Sequence, residues 1–140
     1  MIALVVAAGV LTLAAVLLRR RYVVVTVCGP SMEPTLHSGD RVLVRRTSLR
    51  SVRTGQIVVF GKPSARGTQW VIKRAAAVPG ERLPDPLAAR LGPVVPAGSL
   101  AVLGDNPARS ADSRHHGYVD GAELLGVVIH RPSSAATPAR

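Results

Sequence analysis

The stretch Tyr22-Val23-Val24-Val25-Thr26-Val27-Cys28-Gly29-Pro30-Ser31-Met32-Glu33-Pro34-Thr35-Leu36 decides how this chain folds. Its first half, Tyr22–Val27, is rich in β-branched residues, which favour a strand. Its second half carries Gly29, Pro30 and Pro34, which interrupt regular structure and make the backbone turn. A single serine, Ser31, lies in that turn between a proline and a methionine. The stretch therefore predicts a strand that ends in a turn presenting one hydroxyl group.

The rest of the chain alternates between short apolar segments and turn residues, which is typical of an all-β domain. Further strands are predicted at 40–46, 56–60, 69–78, 99–103 and 124–130. Leu83–Pro96 carries four prolines and predicts a loop, and Gly104–Gly117 predicts a polar loop. We therefore expect a mainly β fold in three parts: a membrane anchor with its basic flank at 1–21, a β domain at 22–131, and a disordered tail at 132–140.

The composition narrows the possible partners. The formal net charge of +10 is compatible with nucleic acid, an anionic lipid surface or an acidic substrate. Aromatic residues make up only 3% of the chain and are scattered, whereas stacking on nucleic acid bases needs aromatics among the basic residues. We therefore expect no nucleic-acid partner. Membrane lipid fits better because an apolar segment precedes the domain, and a plain solvated basic surface is an equal alternative.

Cys28 is the only cysteine, so the chain can form no internal disulfide. It lies close to Ser31, but no histidine or other base pairs with it by motif. We therefore interpret Cys28 as a small buried hydrophobic residue and not as a nucleophile.

The segment Ile2–Leu18 is an apolar run near the short end of the roughly 17–25 residues that span a bilayer as a helix. A cleaved signal peptide fits poorly, because Arg19-Arg20-Arg21 stands where small residues would be needed for cleavage. An uncleaved single-pass anchor is the better prediction. The positive-inside rule places the three arginines, and hence the following domain, in the cytoplasm.

A serine hydroxyl becomes a good nucleophile only when a base removes its proton. None of the four histidines stands in a pattern with an orienting acid. Lys73 is an alternative base if burial depresses its pKa from about 10.4 by several units. Period-2 alternation puts Val71, Lys73, Ala75 and Ala77 on one apolar face of a strand, with Arg74 on the other. A lysine that snorkels from a strand edge is an equally good interpretation of this segment.

Four motifs in order resemble those of the type I signal peptidases, which are membrane-anchored serine–lysine endopeptidases. The motifs are Gly29-Pro30-Ser31-Met32-Glu33-Pro34-Thr35-Leu36; Ser38-Gly39-Asp40-Arg41-Val42-Leu43-Val44; Lys73-Arg74 with Pro79-Gly80-Glu81; and Gly104-Asp105-Asn106, Ser110, Asp112-Ser113-Arg114 and Gly117. Each motif alone is moderately specific, but the four in this order are strongly specific. The resemblance covers the anchor and nearly all of the domain, and it implies a compact signal-peptidase-like β domain after one transmembrane helix.

The resemblance also implies roles for individual residues. Ser31 is expected to be the nucleophile and Lys73 the general base, with the Ser110 hydroxyl orienting the lysine. Asp112 and Arg114 match a supporting salt-bridged pair. The other implied roles are Asp105 as a further structural acid, the Ser31 backbone N–H as an oxyanion donor, and Met32 and Gly29 as substrate-binding positions, with Met32 beside the scissile bond. Residue types alone also allow the acids and Arg114 to form rigid turns without catalysis.

This chain departs from the family pattern in places. Gly29 stands where some members carry a serine that supplies a second oxyanion donor, which leaves that donor unassigned. Ala77 replaces the usual glycine after the lysine motif. The short segment before the last motif implies a minimal domain without a large accessory β region.

The resemblance implies removal of signal peptides from exported preproteins, with small residues at the first and third positions before the cut, and without a cofactor or metal. It also implies a domain outside the cytoplasm, in conflict with the orientation that the positive-inside rule predicts from the three arginines. One alternative is a dedicated proprotein maturation protease, such as those that process nickel superoxide dismutase. Another is a catalytically inactive, basic membrane-surface binding module. Self-cleaving SOS repressors share the dyad, but the anchor and Pro34-Thr35-Leu36 argue against them.

Overall fold

The computed structural model describes residues 1–131, so the predicted tail at 132–140 lies outside the described residues. Within that range, an N-terminal helix, α1 (Ile2–Arg21), precedes seven strands and two short helices. The strands are β1 (Tyr22–Thr26), β2 (Arg41–Arg46), β3 (Ile57–Ser64), β4 (Gly67–Ala77), β5 (Ser99–Leu103), β6 (Val119–Asp120) and β7 (Leu124–His130). The short helices are α2 (Asp85–Leu91) and α3 (Ser113–His116).

The strands form one antiparallel sheet in the order β1-β2-β7-β3-β4-β5-β6. The last strand, β7, inserts between β2 and β3, so the C-terminal part of the chain completes the middle of the sheet. This topology confirms the mainly β fold. Within the part of the chain that the structure describes, β1 is paired on one side only, with β2.

Burial alternates along the strands as the sequence predicts. In β2, Val42 and Val44 are fully buried, whereas Arg41 is exposed. The two valines join a core cluster with Val25, Val27, Met32, Leu36, Ile57, Val59, Ile72 and Leu125. Met32 and Leu36 belong to the turn after β1, so the same core that holds the sheet also holds that turn.

A second core cluster lies on the other face of the sheet, centred on Phe60, which is 1% exposed. Lys73 pairs across the strands with Val58 of this cluster, so the lysine extends from the same face. Cross-strand neighbours share a face of the sheet. Of the two interpretations of Lys73 that the sequence left open, its 5% exposure favours the buried one over snorkelling from a strand edge.

The prediction that Ala77 shares the face of Lys73 is wrong. The pairing of β4 with β5 skips one residue, because Ala75 pairs with Val102 and Ala77 pairs with Ala101. This bulge puts Ala75 in the second core cluster and Ala77 in a third one, with Leu87 and Ala101. A bulge adds one residue to a strand and so reverses the alternation beyond it.

The two predicted loops contain helices. Leu83–Pro96 includes α2, which begins after Pro84 and buries Leu87 in the third cluster. Proline at the first positions of a helix is compatible with helical geometry, so this proline-rich stretch was misinterpreted. The predicted loop Gly104–Gly117 contains α3, which begins at an Asp112 capping box. The strand predicted at 56–60 also extends to Ser64, because it pairs along its length with β4.

Helix α1 has no buried residue, and it has the length and apolar composition needed to cross a membrane. It ends at Arg21, and β1 begins at the next residue, Tyr22. No flexible linker therefore separates the helix from the sheet.

Candidate active site

The turn that carries Ser31 is held by its own backbone and by the core beneath it. Beyond the end of β1, Val27 donates a hydrogen bond to the Asp40 carbonyl (2.8 Å) and accepts one from the Gly39 N–H (2.8 Å). Gly29 has φ +83°, a left-handed conformation that favours glycine. The turn closes with the Leu36 N–H donating to the Met32 carbonyl (2.9 Å). Ser31 itself is half-buried.

The Met32 side chain is only 1% exposed and lies in the first core cluster. The sequence-based expectation that Met32 lies beside the scissile bond stays a prediction. Packing under the turn requires a long, flexible apolar side chain, and Met32 fills that need. Its effect on Ser31 is to hold the turn in place.

Cys28 is exposed, so the interpretation of this residue as a buried hydrophobic one is wrong. The residue lies just beyond the end of β1, where the chain leaves the sheet. The side chain of the preceding residue, Val27, is directed into the core instead.

The segment Gly104-Asp105-Asn106 fixes the Ser31 turn from the other side. The Asn106 N–H donates to the Ser31 carbonyl (3.0 Å), and the Asn106 side-chain amide donates to the Pro30 carbonyl (3.1 Å). These hydrogen bonds join residues more than seventy positions apart, counted along the chain. Asn106 was part of the quoted motif, but its contact with the turn could not be read from the sequence.

Gly104 is the point at which the separate motifs meet. A methyl group at this position would lie 2.1 Å from the Ser110 Oγ and 2.7 Å from the Ser31 carbonyl oxygen. Only a residue without a side chain therefore lets Ser110 and the Ser31 turn approach each other so closely.

Substitution of Gly104 by alanine should push these two segments apart. We expect Gly104→Ala to destabilise the domain by about 1–3 kcal/mol, the usual cost of overpacking, and to lower kcat more than it raises KM. Chemical unfolding and peptide-cleavage kinetics measure the two effects, with Ala108→Ser as a control because Ala108 is exposed in the same loop. Wild-type kcat in a folded Gly104→Ala enzyme would contradict the close approach.

Asp105 connects the candidate lysine strand to the serine turn. Arg74 donates to its two carboxylate oxygens (2.8 and 2.6 Å), and the Thr35 hydroxyl donates to the second oxygen (2.6 Å). The hydrogen bonds from Arg74 hold the pKa of Asp105 below its usual range, against the opposing effect of burial. Arg74 and Thr35 were not among the predicted site residues, although both lie inside the quoted motifs.

Lys73 is buried, with 5% of its surface exposed. Burial lowers the pKa of its ammonium group, because the charged form loses its hydration. The negative charge of Asp112 opposes this effect, and the positive charges of Lys62 and Arg114 add to it, with a net lowering of the pKa. A buried lysine with a lowered pKa has the property that a general base requires.

Asp112 organises the polar side of the candidate site. Arg114 binds it through Nε (2.9 Å) and Nη2 (2.6 Å), in the fork geometry of strong charge-assisted pairs. The carboxylate also accepts from the Gly104 N–H (2.9 Å) and from the Ser110 hydroxyl (2.8 Å). Burial raises the pKa of Asp112, but these donors outweigh it and hold the pKa far below its usual range. Asp112 therefore stays ionised.

This geometry settles which way the Ser110 hydroxyl points. An ionised carboxylate can only accept a hydrogen bond, so the Ser110 hydroxyl must be the donor in its hydrogen bond with Asp112. The lone pairs of the Ser110 oxygen then remain available to accept a hydrogen bond. An ammonium or amine group nearby can donate that bond, which is the arrangement needed to orient a lysine.

Three hydrogen bonds join α2 to α3, the short helix capped by Asp112, and to the residues just after it. The Arg90 guanidinium donates to the carbonyl of Arg114 and to that of His115 (3.3 Å). The Tyr118 hydroxyl, just beyond α3, donates to the Leu91 carbonyl (3.1 Å). The segment predicted as a loop therefore supports the Asp112–Arg114 cluster.

The arrangement as a whole offers a half-buried serine in a turn, a buried lysine of lowered pKa, and a carboxylate that positions a second hydroxyl. Among residues 1–131, no group of three or more His, Cys, Asp or Glu side chains is placed to hold a metal ion. These side chains include a serine hydroxyl as a candidate nucleophile and a lysine amine as a candidate base.

Comparison with known proteins identifies the family of the chain. A family model described as "Signal peptidase, peptidase S26" matches residues 1–84 and 85–131. The chain belongs to the S26 signal peptidase family, and it is a peptidase.

Named relatives include mitochondrial and bacterial proteins. The chain is 39% identical over 108 residues to mitochondrial inner membrane protease subunit 1 of Schizosaccharomyces pombe, covering 74% of this chain and 68% of that protein. It is 34% identical over 122 residues to a probable signal peptidase I-2 of Synechocystis, covering 69% of this chain and 56% of that protein. A crystal structure of a signal peptidase I from Enterococcus faecalis matches 56% of this chain and 97% of its own, with a TM-score of 0.43 and 30% identity.

Proposed function

We propose that this chain is a membrane-anchored serine endopeptidase that removes signal peptides from exported proteins through a Ser31–Lys73 dyad. The observation that carries the proposal is the burial of Lys73, with its lowered pKa, in the electrostatic field of the Asp112–Arg114 pair. That pair is joined through Gly104 to the turn that carries Ser31. A lysine in this setting has no evident structural role.

In the proposed mechanism, the Ser31 hydroxyl attacks the scissile carbonyl while Lys73 accepts its proton. The Ser31 backbone N–H stabilises the oxyanion of the tetrahedral intermediate. The intermediate collapses to an ester on Ser31, and Lys73 returns the proton to the departing amine. Lys73 then takes a proton from a water molecule as the water oxygen attacks the ester carbonyl. When the ester bond breaks, Lys73 returns that proton to the Ser31 oxygen, which restores the serine hydroxyl and the neutral amine and releases the carboxylic acid product.

The substrate is proposed to bind as an extended strand along β1. Among residues 1–131 this strand pairs only with β2, so its other edge is free, and free edges accept peptides by backbone pairing. A groove of about 340 Å³ lies beside it, and its lining includes Val23, Val25, Leu125 and Trp70. Small residues before the cut are the preference that the family resemblance implies.

The pH dependence of cleavage tests the role of Lys73. The base must be neutral, so kcat/KM should rise with pH to a plateau, with a midpoint below the ordinary lysine value of about 10.4. The charge of Lys62 lowers the pKa of Lys73, so Lys62→Met should move the midpoint to higher pH. Measurement of kcat/KM between about pH 5 and 10 for the wild type and for Lys62→Met gives the two midpoints. Identical midpoints would argue against Lys73 as the titrating base.

The covalent intermediate tests the nucleophile. A peptide ester incubated with the full chain in detergent and quenched with acid should leave an acyl group on Ser31, located by mass spectrometry. Ser31→Ala should leave none, and Cys28→Ala should leave the adduct unchanged. An acyl group on Cys28, or cleavage by Ser31→Ala at the wild-type rate, contradicts the proposal.

The proposed anchor is α1, with the domain outside the cytoplasm. The three arginines at its end favour the opposite orientation, and a cytoplasmic domain would favour the dedicated maturation protease. Digestion by added protease in intact cells and in spheroplasts distinguishes the two. Cleavage of the domain without disruption of the membrane is the result that our proposal requires.

A further inference from the structure

We propose that Asn106 is a positioning residue that fixes the direction of the Ser31 backbone N–H, the group that would donate to the oxyanion. The inference rests on the serine mechanism of the proposed function, and it adds a residue that acts on the donor without touching the substrate. Gly29 supplies no side-chain donor to the oxyanion, so the direction of the Ser31 N–H matters all the more.

The Ser31 N–H is available to a substrate. Ser31 is half-buried, and within residues 1–131 its backbone N–H donates to no other group of the protein. The turn uses two nearby N–H groups for itself, because that of Gly29 donates to the Ser38 hydroxyl (3.1 Å) and that of Glu33 to the Pro30 carbonyl (3.1 Å). A free donor on the nucleophile itself is what a developing oxyanion needs.

The carbonyl of Pro30 sets the direction of this donor. The Pro30 C=O and the Ser31 N–H belong to one peptide group, which is trans. A trans peptide group is planar, and its C=O and N–H bonds point in opposite directions. Whatever holds the Pro30 carbonyl therefore also fixes where the Ser31 N–H points.

Asn106 holds the peptide groups on both sides of the Ser31 Cα. Its side-chain amide donates to the Pro30 carbonyl (3.1 Å), and its backbone N–H donates to the Ser31 carbonyl (3.0 Å). A carbonyl oxygen can only accept, so the amide nitrogen of Asn106 must face Pro30. The bond from Glu33 lies within the turn and can move with it, whereas the two bonds from Asn106 tie the turn to a separate segment of the chain.

The segment that carries Asn106 is itself held in place. The preceding residue, Asp105, is bound by the Arg74 guanidinium (2.8 and 2.6 Å) and by the Thr35 hydroxyl (2.6 Å). On the other side, the Asn106 carbonyl accepts from the Arg109 N–H (3.1 Å). Asn106 is therefore a fixed point against which the Ser31 turn is positioned.

Donation to the Pro30 carbonyl also strengthens the Ser31 N–H as a donor. Hydrogen bonds that pass through one peptide group polarise each other, so electron density drawn to the carbonyl oxygen leaves the N–H more positive. Direction and polarity both act on the charge that develops in the transition state. They contribute little to binding of the uncharged substrate, so their loss should lower kcat and leave KM nearly unchanged.

The test compares the wild type with Asn106→Ala and Asn106→Leu, using the full chain in detergent. Both variants remove the side-chain donor without adding charge, both keep the backbone N–H that binds the Ser31 carbonyl, and the leucine keeps nearly the shape of asparagine. The matched control is Thr35→Val, which removes the hydrogen bond to Asp105 but leaves both bonds of Asn106 in place.

Two peptides of one sequence, with alanine at the last and third-last residues, serve as probes. One ends in an aldehyde and the other in the corresponding primary alcohol. The Ser31 oxygen adds to the aldehyde carbon, its proton passes to Lys73, and the carbonyl electron pair becomes an oxyanion next to the Ser31 N–H. The alcohol peptide offers the same backbone and side chains but forms neither the bond nor the oxyanion.

We expect both Asn106 variants to bind the aldehyde about 10–100-fold more weakly, with nearly wild-type affinity for the alcohol. The kcat for peptide cleavage should fall by a similar factor. This loss is smaller than the roughly 10²–10³-fold cost of removing a whole oxyanion donor, because the Ser31 N–H is still present. Thr35→Val should keep the wild-type ratio of the two affinities.

Two results would overturn the role of Asn106. A wild-type ratio of aldehyde to alcohol affinity in both variants shows that the side chain does not act on the donor. Equal weakening of both peptides assigns Asn106 to general packing of the site. Both affinities of a variant are measured on the same folded molecules, so partial unfolding cancels from their ratio.

Failure of the proposed function gives a different result. A wild-type enzyme that binds the aldehyde no more tightly than the alcohol contradicts Ser31 as nucleophile, and the role of Asn106 falls with it. A wild-type preference for the aldehyde that persists in both variants contradicts the role of Asn106 alone.

Discussion

Lys73→Met is expected to abolish peptide cleavage without unfolding the enzyme. The variant keeps the length of the buried side chain and removes the amine that we propose as general base. General base catalysis contributes about 10²–10⁴-fold to rate, so kcat should fall by about that factor or more. Peptide cleavage under single-turnover conditions, with the full chain in detergent, measures the loss.

The free energy of unfolding of Lys73→Met shows whether lost cleavage reflects the missing amine or a damaged fold. Lys73 is buried with a lowered pKa, so the folded state binds its proton less tightly than the unfolded state does. Below the unfolded pKa of about 10.4 this difference destabilises the fold, and the cost disappears as pH rises towards that value. At neutral pH the methionine variant should therefore be at least as stable as the wild type.

The control is Lys62→Met, which removes the other lysine of the chain. It should keep most of its activity at high pH, where Lys73 is neutral in either enzyme. Cleavage by Lys73→Met at more than about a tenth of the wild-type rate is incompatible with a contribution of 10²-fold or more from a general base.

Asp112→Asn is expected to destabilise the domain and to slow cleavage together. The Asp112 side chain is fully buried and Arg114 is 28% exposed. Breaking a buried pair costs about 3–5 kcal/mol, and we expect a loss near 3 kcal/mol because water can reach the remaining arginine. Urea unfolding of the full chain in detergent, followed by circular dichroism, measures this difference.

The pH dependence of that difference identifies its source. The folded-state pKa of Asp112 is depressed, so its stabilising effect is complete above the unfolded value of about 3.9 and is lost as pH falls towards the folded value. The difference in free energy of unfolding between wild type and Asp112→Asn should therefore be largest near neutral pH and should narrow below about pH 4. A gap that is constant with pH would assign the effect to packing and not to charge.

Asp112→Asn should also change the kinetics in a way that a purely structural role of Asp112 would not explain. The Asp112 charge raises the pKa of Lys73, so its removal should move the midpoint of the kcat/KM profile to lower pH. The plateau of kcat/KM should fall because Ser110 loses the charged carboxylate that accepts its hydrogen bond. An unchanged midpoint would show that Asp112 does not act on the titrating group.

Much of the fold could be predicted from local pattern. Strands β5 and β7 were predicted at their observed limits, because alternating or continuous apolar residues there are bounded by turn residues. The helix α2 was missed because its prolines also fit a loop, and its existence depends on Leu87 packing against Ala77 and Ala101. The bulge in β4 was missed because register with β5 is decided by pairing between strands, which leaves no local signal.

The sequence by itself determined the motifs, the apolar helix and the face on which Lys73 lies, since these depend on residue type and on the period of a strand. Only the tertiary structure decided that Gly104 brings the Ser31 turn against Ser110, that Arg74 joins Asp105, and that Met32 is buried beneath the turn. These contacts join residues far apart in the chain, and their distances follow from how the sheet packs. The lowered pKa of Lys73 belongs to the same group, because it depends on the water that packing excludes.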